Sequence, residues 1–220
     1  SKESFEKRTF DLNRTQQTVY RRLMLDFVAK YKGKTVLAQS ELVEIMKLRQ
    51  ITSGFFIDDK GETIRISDAK IKLLKENLSE IGDKQTIIWI QFKEEVRRLR
   101  TLLGTAASVL VGGMTDTEKS SSIRPFKTQK TQYLIAHPKV GGSALTFSSC
   151  SFSTFFSMSF SSGEEYEARS RIHGRGETTP STHFYLLGRG TVDFKLYDCV
   201  RNKRNVSLEM LNMINGRPYG

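Results

Sequence analysis

Apolar residues in the first part of the chain recur at spacings of three and four, the pattern of a helix with one buried face. This pattern predicts helices over residues 15–31 and 40–51, and a third over 67–81 that begins at the capping residue Ser67. Residues 1–13 are polar and mixed, and we expect them to form an extended lead-in.

A pair of short apolar runs lies between the second and third of these helices. Residues 55–57 and 63–66 flank a polar turn that ends in Gly61, and this arrangement predicts a β-hairpin. We therefore expect residues 1–84 to be a helical segment with a hairpin that packs on the rest of the chain.

From residue 85 onward, apolar runs of strand length alternate with helical stretches. Capping boxes at Thr115-x-x-Glu118 and Ser162-x-x-Glu165 predict where two of these helices begin. The alternation predicts an α/β fold, with a mostly parallel sheet covered by helices on both faces. The predicted strands are 85–90, 107–111, 131–136, 154–159 and 182–187. The predicted helices are 93–103, 115–126, one from 162 that carries Arg169 and Arg171, 191–200 and 208–214.

The functional site is expected at one edge of this sheet. Ligands of open parallel sheets bind beyond the carboxyl ends of the strands. In the predicted sheet, these ends carry Gln91, the Gly112-Gly113 pair, residues 139–143 and residues 161–163.

Charge narrows the class of partner. The 220 residues include 35 Lys and Arg against 24 Asp and Glu, a formal net charge of +11. Such an excess favours polyanions as partners, with nucleic acid ahead of an anionic membrane surface.

The longest apolar runs are of strand length, so no membrane span and no membrane partner are predicted. Cys150 and Cys199 lie in apolar surroundings and fit a reducing compartment better than a disulfide framework.

Metal and nucleophilic sites are not favoured. The three histidines, His137, His173 and His183, have no ligand-like spacing to one another or to the cysteines. No Gly-x-Ser-x-Gly motif is present. Hydrolysis by a catalytic triad or a zinc ion is therefore not expected.

Two segments resemble parts of a nucleotide hydrolase site but do not fit it. Gly33-Lys34-Thr35 looks like the end of a P-loop, yet Val28 stands where the first glycine belongs and a helix precedes it. Asp58-Asp59 could suggest a magnesium-binding strand end, but the Lys-Gly turn that follows fits a hairpin better. We expect no complete nucleotide hydrolase site in this chain.

A glycine-bearing loop and an arginine pair are the strongest candidates for a ligand site. Gly141 and Gly142 follow a predicted strand, and adjacent glycines let the backbone approach a ligand closely. Arg171 and Arg175 lie one turn apart at a helix end, and guanidinium groups fit phosphate oxygens. We interpret these residues as half of a nucleotide site, and Arg169 as part of a solvated helix face.

Several segments, taken in chain order, resemble one known family. They are Arg49-Gln50-Ile51, residues 85–91, Gly113-Met114-Thr115, residues 140–146 (VGGSALT), residues 167–173 (EARSRIH) and Gly190-Thr191-Val192. Together they resemble the second, C-terminal RecA-like lobe of superfamily 2 helicases, specifically the Snf-type DNA translocases. The resemblance covers nearly the whole chain and rests on the order and spacing of the motifs.

This resemblance implies a RecA-like three-layer lobe over residues 85–205, followed by a C-terminal helix and tail over 206–220. It implies that ATP and Mg²⁺ are held mainly by an N-terminal RecA-like lobe of the same polypeptide. In the family, arginines of the last motif reach that nucleotide, which makes Arg171 and Arg175 the candidate catalytic residues. Gly142 joins them as a candidate nucleotide-binding residue.

In the same family, the loop after the third strand of the lobe contacts DNA. The resemblance therefore implies contacts with the DNA backbone, which carry no sequence information. The candidate DNA-binding residues are Gln91, Thr115, Lys139, Ser143 and Thr146.

We therefore expect the C-terminal motor lobe of an ATP-dependent DNA translocase or helicase, inactive as an isolated chain. Two alternatives stay open: a nucleic-acid-binding or adaptor module that has lost the motor, and an unrelated α/β enzyme acting on a phosphorylated small molecule. The expected location is the cytoplasm, on a nucleoid or a viral genome in a host cell, or the nucleus in a eukaryote.

Overall fold

Strands and helices alternate along the described part of the chain, which in this computed structural model comprises residues 3–33, 39–140, 145–172 and 180–215. The strands are β1 (Glu3–Phe10), β2 (Phe55–Ile57), β3 (Thr63–Arg65), β4 (Thr86–Trp89), β5 (Ala107–Leu110), β6 (Tyr133–Ala136), β7 (Phe152–Phe155) and β8 (Ser181–Gly188). The α-helices are α1 (Arg14–Tyr31), α2 (Gln39–Thr52), α3 (Ala69–Ile81), α4 (Lys93–Leu103), α5 (Asp116–Lys127), α6 (Ser162–Ser170), α7 (Val192–Arg201) and α8 (Val206–Ile214), with a 3₁₀ turn at Gly104–Ala106.

A mostly parallel sheet of six strands, in the order β1-β8-β7-β4-β6-β5, forms the framework. β4 pairs in parallel with both β6 and β7, so that Thr86 lies opposite Tyr133 on one side and Phe152 on the other. All four residues of β4 are buried, as expected of a strand covered on both faces. The pairs β5–β6 and β7–β8 are also parallel. The predicted parallel α/β sheet is confirmed, and β2 and β3 form the predicted antiparallel hairpin.

The first strand corrects the lead-in predicted over residues 1–13. Glu3–Phe10 is an edge strand of the sheet, next to β8. Polar contacts hold it there, since Oε1 of Glu3 accepts a hydrogen bond from Nη1 of Arg169 at 2.6 Å. Phe5 stacks on His183 with the ring centroids 5.7 Å apart. A strand held largely by charged and aromatic partners shows no simple apolar alternation, which is why the pattern missed it.

The strand predicted over residues 154–159 is shifted. β7 comprises Phe152–Phe155. Beyond it, Phe156 and Ser157 both donate their amides to the carbonyl oxygen of Trp89, and the chain bends out of the sheet. The prediction was wrong at both ends because the Ser/Phe-rich composition gives no sharp boundary.

The capping residue of α6 is also shifted by one. Ser161 begins the helix, and its Oγ accepts the amide N–H of Glu164 at 3.2 Å, so Ser162 is not the cap. Glu165, which the prediction placed in the capping box, is 3% exposed and accepts the hydroxyl of Tyr185. Burial of this carboxylate selects the observed register.

Contacts divide the chain into two compact units. The sheet unit comprises Ser1–Arg8 and Leu74–Leu186, and the helical unit comprises Thr9–Leu73 and Leu187–Gly220. The domain boundaries predicted after residues 84 and 205 stay predictions. Among the helices in the described ranges, none has the length and apolar character that a membrane crossing requires.

In the helical unit, α1 begins with a reciprocal cap. Oδ1 of Asn13 accepts the amide of Gln16 at 2.8 Å, and Oε1 of Gln16 accepts the amide of Asn13 at 3.0 Å. The Gln16 side chain is fully buried, and its Nε2 donates to the carbonyl of Ile51 in α2 at 2.8 Å. One side chain therefore caps α1 and fixes it to α2.

The turn from β8 to α7 requires two glycines. Gly190 has a φ of 67°, and Thr191 caps α7 by accepting the amide of Asp193 on its Oγ1 at 3.2 Å. A Cβ on Gly188 would lie 3.2 Å from the Thr191 side chain and 3.3 Å from the Phe10 ring. The Gly190-Thr191 pair thus forms the turn and the cap with which α7 begins.

Candidate nucleotide and nucleic-acid interface

Predicted site residues follow the carboxyl ends of three strands of the sheet unit. Gln91 follows β4, Thr115 precedes α5 after β5, and Lys139 follows β6. Because these strands are parallel, the structure brings the three residues to the same edge of the sheet. Thr146 is exposed, farther along the chain after Lys139. Outside the described residues lie Gly142, Ser143 and Arg175.

The end of β4 is held by Glu95, a fully buried carboxylate that the sequence patterns did not single out. Its Oε2 accepts the amide N–H groups of Gln91 at 2.9 Å and Phe92 at 3.1 Å. It also accepts the hydroxyl of Ser157, which follows β7, at 2.6 Å. Glu95 therefore joins the ends of two neighbouring strands. Glu95 occupies the third helical position of a capping box, but Phe92 at the cap has no side-chain acceptor, so the sequence showed no complete signal for this role.

Gln91 keeps donor capacity at this edge. Its side-chain Nε2 is buried and has no hydrogen-bond partner among the described residues. Buried amide groups in proteins are nearly always hydrogen-bonded, so this donor is suited to a ligand oxygen.

The amino end of α5 carries the predicted capping box. Oγ1 of Thr115 accepts the amide of Glu118 at 3.2 Å, and Oε2 of Glu118 accepts the amide of Thr115 at 2.6 Å. The hydrogen bond from the Thr115 backbone holds the pKa of Glu118 below its usual range. The Thr115 hydroxyl acts as an acceptor in the cap and can donate its own hydrogen to a ligand.

After β6, the chain makes a turn that presents Lys139. Nδ1 of His137 accepts the amide of Lys139 at 3.2 Å, and the carbonyl of His137 accepts the amide of Val140 at 3.0 Å. The Lys139 side chain is 67% exposed, and its Nζ lies 3.2 Å from a carboxylate oxygen of Glu164. The turn therefore places an ammonium group at the edge that also carries Gln91.

The His137 turn predicts a pH effect on stability. Burial lowers the pKa of His137 below its ordinary value of 6.5, although Glu164 opposes the shift. Stability from the neutral imidazole is complete above pH 6.5 and is lost as pH falls through the lower folded-state pKa. His137→Asn keeps an acceptor for the Lys139 amide but does not titrate. In urea denaturation from about pH 7.5 to about pH 5.5, the wild type should lose more stability than this variant. Parallel profiles would contradict the prediction.

A cavity of about 520 Å³ lies between the turn after β5 and the loop after β6. Lys119 and Lys139 contribute ammonium groups to its lining, and Lys119 also pairs with Asp116 at 3.2 Å. Asp116 also lines the cavity, so its lining carries two ammonium groups and one carboxylate. The other lining residues include Gly112, Gly113, Val140 and Leu145.

Arg171 lies just past the last residue of α6, and it is 3% exposed. Its Nη1 donates to the carbonyl of Val140 at 2.7 Å, and its Nη2 donates to the carbonyl of Pro138 at 2.8 Å. Burial lowers the pKa of Arg171, and Glu167, with an oxygen 3.8 Å from Nη2, opposes this. In the described structure, the guanidinium binds the loop after β6. The nucleotide contact implied for Arg171 stays a prediction.

Arg169 is buried, so its assignment to a solvated helix face was wrong. Its Nε donates to Glu165 at 2.9 Å, and its Nη1 donates to Glu3 at 2.6 Å. Burial disfavours the charge of Arg169, but these two carboxylates hold its pKa above the usual range. The sequence pattern could not show this because the partner Glu3 comes from β1, which was not predicted as a strand.

Comparison with known proteins identifies the domain. Residues 69–176 match the helicase conserved C-terminal domain. The C-terminal part of the Fun30 ATPase domain has the same fold, with a TM-score of 0.72, 16% identity and coverage of 97% of this chain and 96% of that one. Residues 69–176 thus match a helicase conserved C-terminal domain, and the fold is that of the C-terminal lobes of Snf2-type ATPases. Both findings support the resemblance that the sequence motifs indicated.

Two further similar proteins are longer than this chain. The Sulfolobus solfataricus SWI2/SNF2 ATPase core in complex with dsDNA has a TM-score of 0.68 and 16% identity, covering 99% of this chain and 51% of that one. Chromodomain-helicase-DNA-binding protein 1-like of Danio rerio is 21% identical over 199 residues, which cover 84% of this chain and 19% of that protein. The lobe thus spans about a fifth of the length of the curated relative it matches.

The described residues of the lobe show which kinds of ligand it can hold. Within the described ranges, no three side chains of His, Cys, Asp and Glu are grouped so that they could hold a metal ion. The donors at the sheet edge are lysine, glutamine and threonine, which suit phosphate oxygens rather than a cation.

Proposed function

We propose that this helicase lobe is the C-terminal motor lobe of an ATP-dependent DNA translocase or helicase. The proposal rests on the edge of the sheet unit where Gln91, Thr115 and Lys139 follow three parallel strands within a helicase C-terminal domain. The Sulfolobus solfataricus core with the same fold is described as a complex with dsDNA, which supports DNA as the partner.

The lobe contacts the sugar–phosphate backbone of DNA. The Gln91 amide and the Thr115 hydroxyl supply neutral donors, and Lys139 supplies a charge. Phosphate contacts carry no sequence information and weaken with salt, which suits a motor that moves over any sequence. The net charge of +11 favours the encounter with DNA. The proposed contact residues are Gln91, Thr115, Lys139, Ser143 and Thr146.

A first RecA-like lobe of the same polypeptide would hold ATP and Mg²⁺. The lobe formed by the present chain would contribute Gly142, Arg171 and Arg175 from the other side of the nucleotide, where guanidinium groups stabilise charge on the phosphates. Hydrolysis of bound ATP supplies the free energy for movement along DNA. Because the complete site needs both lobes, the isolated chain should not hydrolyse ATP.

Binding to duplex DNA of mixed sequence tests the proposed edge. Lys139→Ala should reduce the slope of log affinity against log salt by about 0.9, the contribution of one phosphate contact. Lys130 is exposed and precedes β6, at the opposite end of the strand that Lys139 follows, so Lys130→Ala is the matched control. Fluorescence anisotropy of a labelled duplex over a salt series measures both slopes. Equal slopes for the two variants would contradict the assigned edge.

A measurement of ATP hydrolysis distinguishes a motor lobe from an adaptor module. Duplex DNA should stimulate ATP hydrolysis by a polypeptide that joins this chain to a first RecA-like lobe, and not by the chain alone. Stimulated hydrolysis by the chain alone would contradict the division of the site. A two-lobe protein that binds DNA without any stimulation would favour the adaptor.

A further inference from the structure

A groove of about 610 Å³ lies beside α1 in the helical unit. Its lining includes Tyr20, Met24 and Leu25 of α1, together with Leu12 and the turn after β8. Leu25 is 70% exposed, although leucine is among the residues that proteins most often bury. The groove therefore presents an apolar surface that the described part of the helical unit leaves open to solvent.

Guanidinium groups accompany this apolar lining. Arg21 of α1 and Arg189 of the turn after β8 both line the groove. Nη1 of Arg189 lies 3.1 Å from each carboxylate oxygen of Asp11, which also lines the groove, so the charges of this pair offset each other. Arg21 is exposed, and it forms no ion pair with any described residue. Among the described lining residues, the positive charge of Arg21 is therefore not compensated.

The sequence of α1 extends this positive charge toward the start of the helix. Residues 14–25 contain three arginines and no acidic residue. Arg14, Gln17, Arg21 and Leu25 recur at spacings of three and four, which places them on one face of α1. Arg14 is the first residue of α1, and the first turn carries no acidic side chain. Because a cation at this end opposes the helix dipole, an anionic partner would stabilise this face.

The exposed leucine distinguishes between two kinds of anionic partner. A sugar–phosphate backbone pairs with arginine but offers little apolar surface to cover Met24 and Leu25. A peptide with both carboxylate and apolar side chains complements both features of the groove. Amphipathic helices bind other proteins in this way, with the apolar face in a groove. The lining therefore favours an acidic protein segment over DNA.

We propose that the groove beside α1 docks an acidic amphipathic segment of a partner protein. Apolar side chains of that segment pack on Met24 and Leu25, and its carboxylates pair with Arg21 and Arg14. Arginine suits this role because its guanidinium can bind a carboxylate through two parallel hydrogen bonds. The groove belongs to the helical unit, so this inference is independent of the DNA contacts proposed for the sheet unit.

Binding of a designed peptide tests the proposal. The probe is a fluorescein-labelled peptide of about 18 residues, long enough to form a helix, with leucines at spacings of three and four and glutamates on the opposite face. Two matched peptides replace either the glutamates by lysine or the leucines by alanine. Fluorescence anisotropy should show that the protein binds the probe and binds both matched peptides at least tenfold more weakly.

Neighbouring residues of the chain supply matched control variants. Arg21→Glu should weaken binding of the probe at least tenfold, the scale of one lost charged hydrogen bond. Arg22→Glu changes the net charge equally but lies outside the lining, so its effect should be much smaller. Leu25→Ser should weaken binding about tenfold, the scale of one buried leucine side chain. Leu208→Ser, which replaces an exposed leucine of α8, should match the wild type.

Several outcomes would contradict the proposed docking surface. The wild type may fail to bind the probe, or the two arginine replacements may weaken binding equally, which would show attraction by net charge alone. Weaker binding of duplex DNA by both Arg21→Glu and Leu25→Ser would make the groove a DNA contact. A dimer that sedimentation detects in the wild type and not in Leu25→Ser would make the occupant a second copy. All four replaced side chains are exposed, so urea unfolding should confirm that each variant folds as the wild type does.

Discussion

Asp193→Ala is expected to lower the free energy of unfolding by about 3–5 kcal/mol, the cost of removing one partner from a buried ion pair. In the helical unit, Oδ2 of Asp193 lies 4.0 Å from Nζ of Lys70, with the side chains 8% and 3% exposed. The same carboxylate accepts the amide of Gly188 at 3.0 Å and the hydroxyl of Thr52 at 3.0 Å. Alanine removes the acceptor of both hydrogen bonds and an anion beside a buried ammonium.

Urea unfolding of Asp193→Ala and Asp198→Ala measures this effect. Asp198 is an exposed aspartate in the same helix, so its replacement controls for the loss of a charge from α7. Adding Lys70→Met to Asp193→Ala should recover part of the loss, because no buried charge then lacks this partner. Equal destabilisation by the two aspartate replacements would show that the buried pair contributes nothing.

Local signals predicted most of the fold. The predicted bounds of α1 and α2 are correct to within one residue at each end, and those of α4 are correct. The apolar face of such a helix follows from the spacing of neighbouring residues, which is local information. The capping box at Thr115 was also confirmed, since both of its hydrogen bonds join residues three apart.

The errors arise where distant residues decide between locally equivalent choices. Ser161 and Ser162 each have a glutamate three residues later, so the sequence fits two registers for the start of α6. The observed register buries Glu165 against Tyr185, a contact between residues 20 positions apart. β1 is missed for the same reason, since Glu3 meets its partner Arg169 across 166 positions.

The candidate site shows the same difference between what local signals predict and what distant contacts decide. The motifs led to Lys139 and Arg171, because their residue types and order are local information. They could not show that Arg171 is buried and bound to the carbonyls of Pro138 and Val140, since burial depends on how β6 and α6 are packed. The motif identifies the residue, but the packing around that residue decides which atoms its side chain contacts.

Glu95→Ala should be the second strongly destabilising change, with a loss of about 3 kcal/mol or more in the free energy of unfolding. Alanine leaves the amides of Gln91 and Phe92 and the hydroxyl of Ser157 without the oxygen that accepts all three. Because the carboxylate is fully buried, water does not replace it. The loss should also loosen the end of β4 from the end of β7, at the edge assigned to DNA.

Glu118→Ala is the matched comparison for this change. Glu118 occupies the same third helical position in α5 and accepts the amide of its own capping residue, Thr115. It is exposed, so water can take the place of its carboxylate, and the loss should be clearly smaller. Glu95→Gln keeps volume and one acceptor oxygen, and it should fall between the two alanine variants. Urea unfolding of the three proteins gives the order, and a loss for Glu95→Ala no larger than for Glu118→Ala would show that β4 and β7 are not held together by this carboxylate.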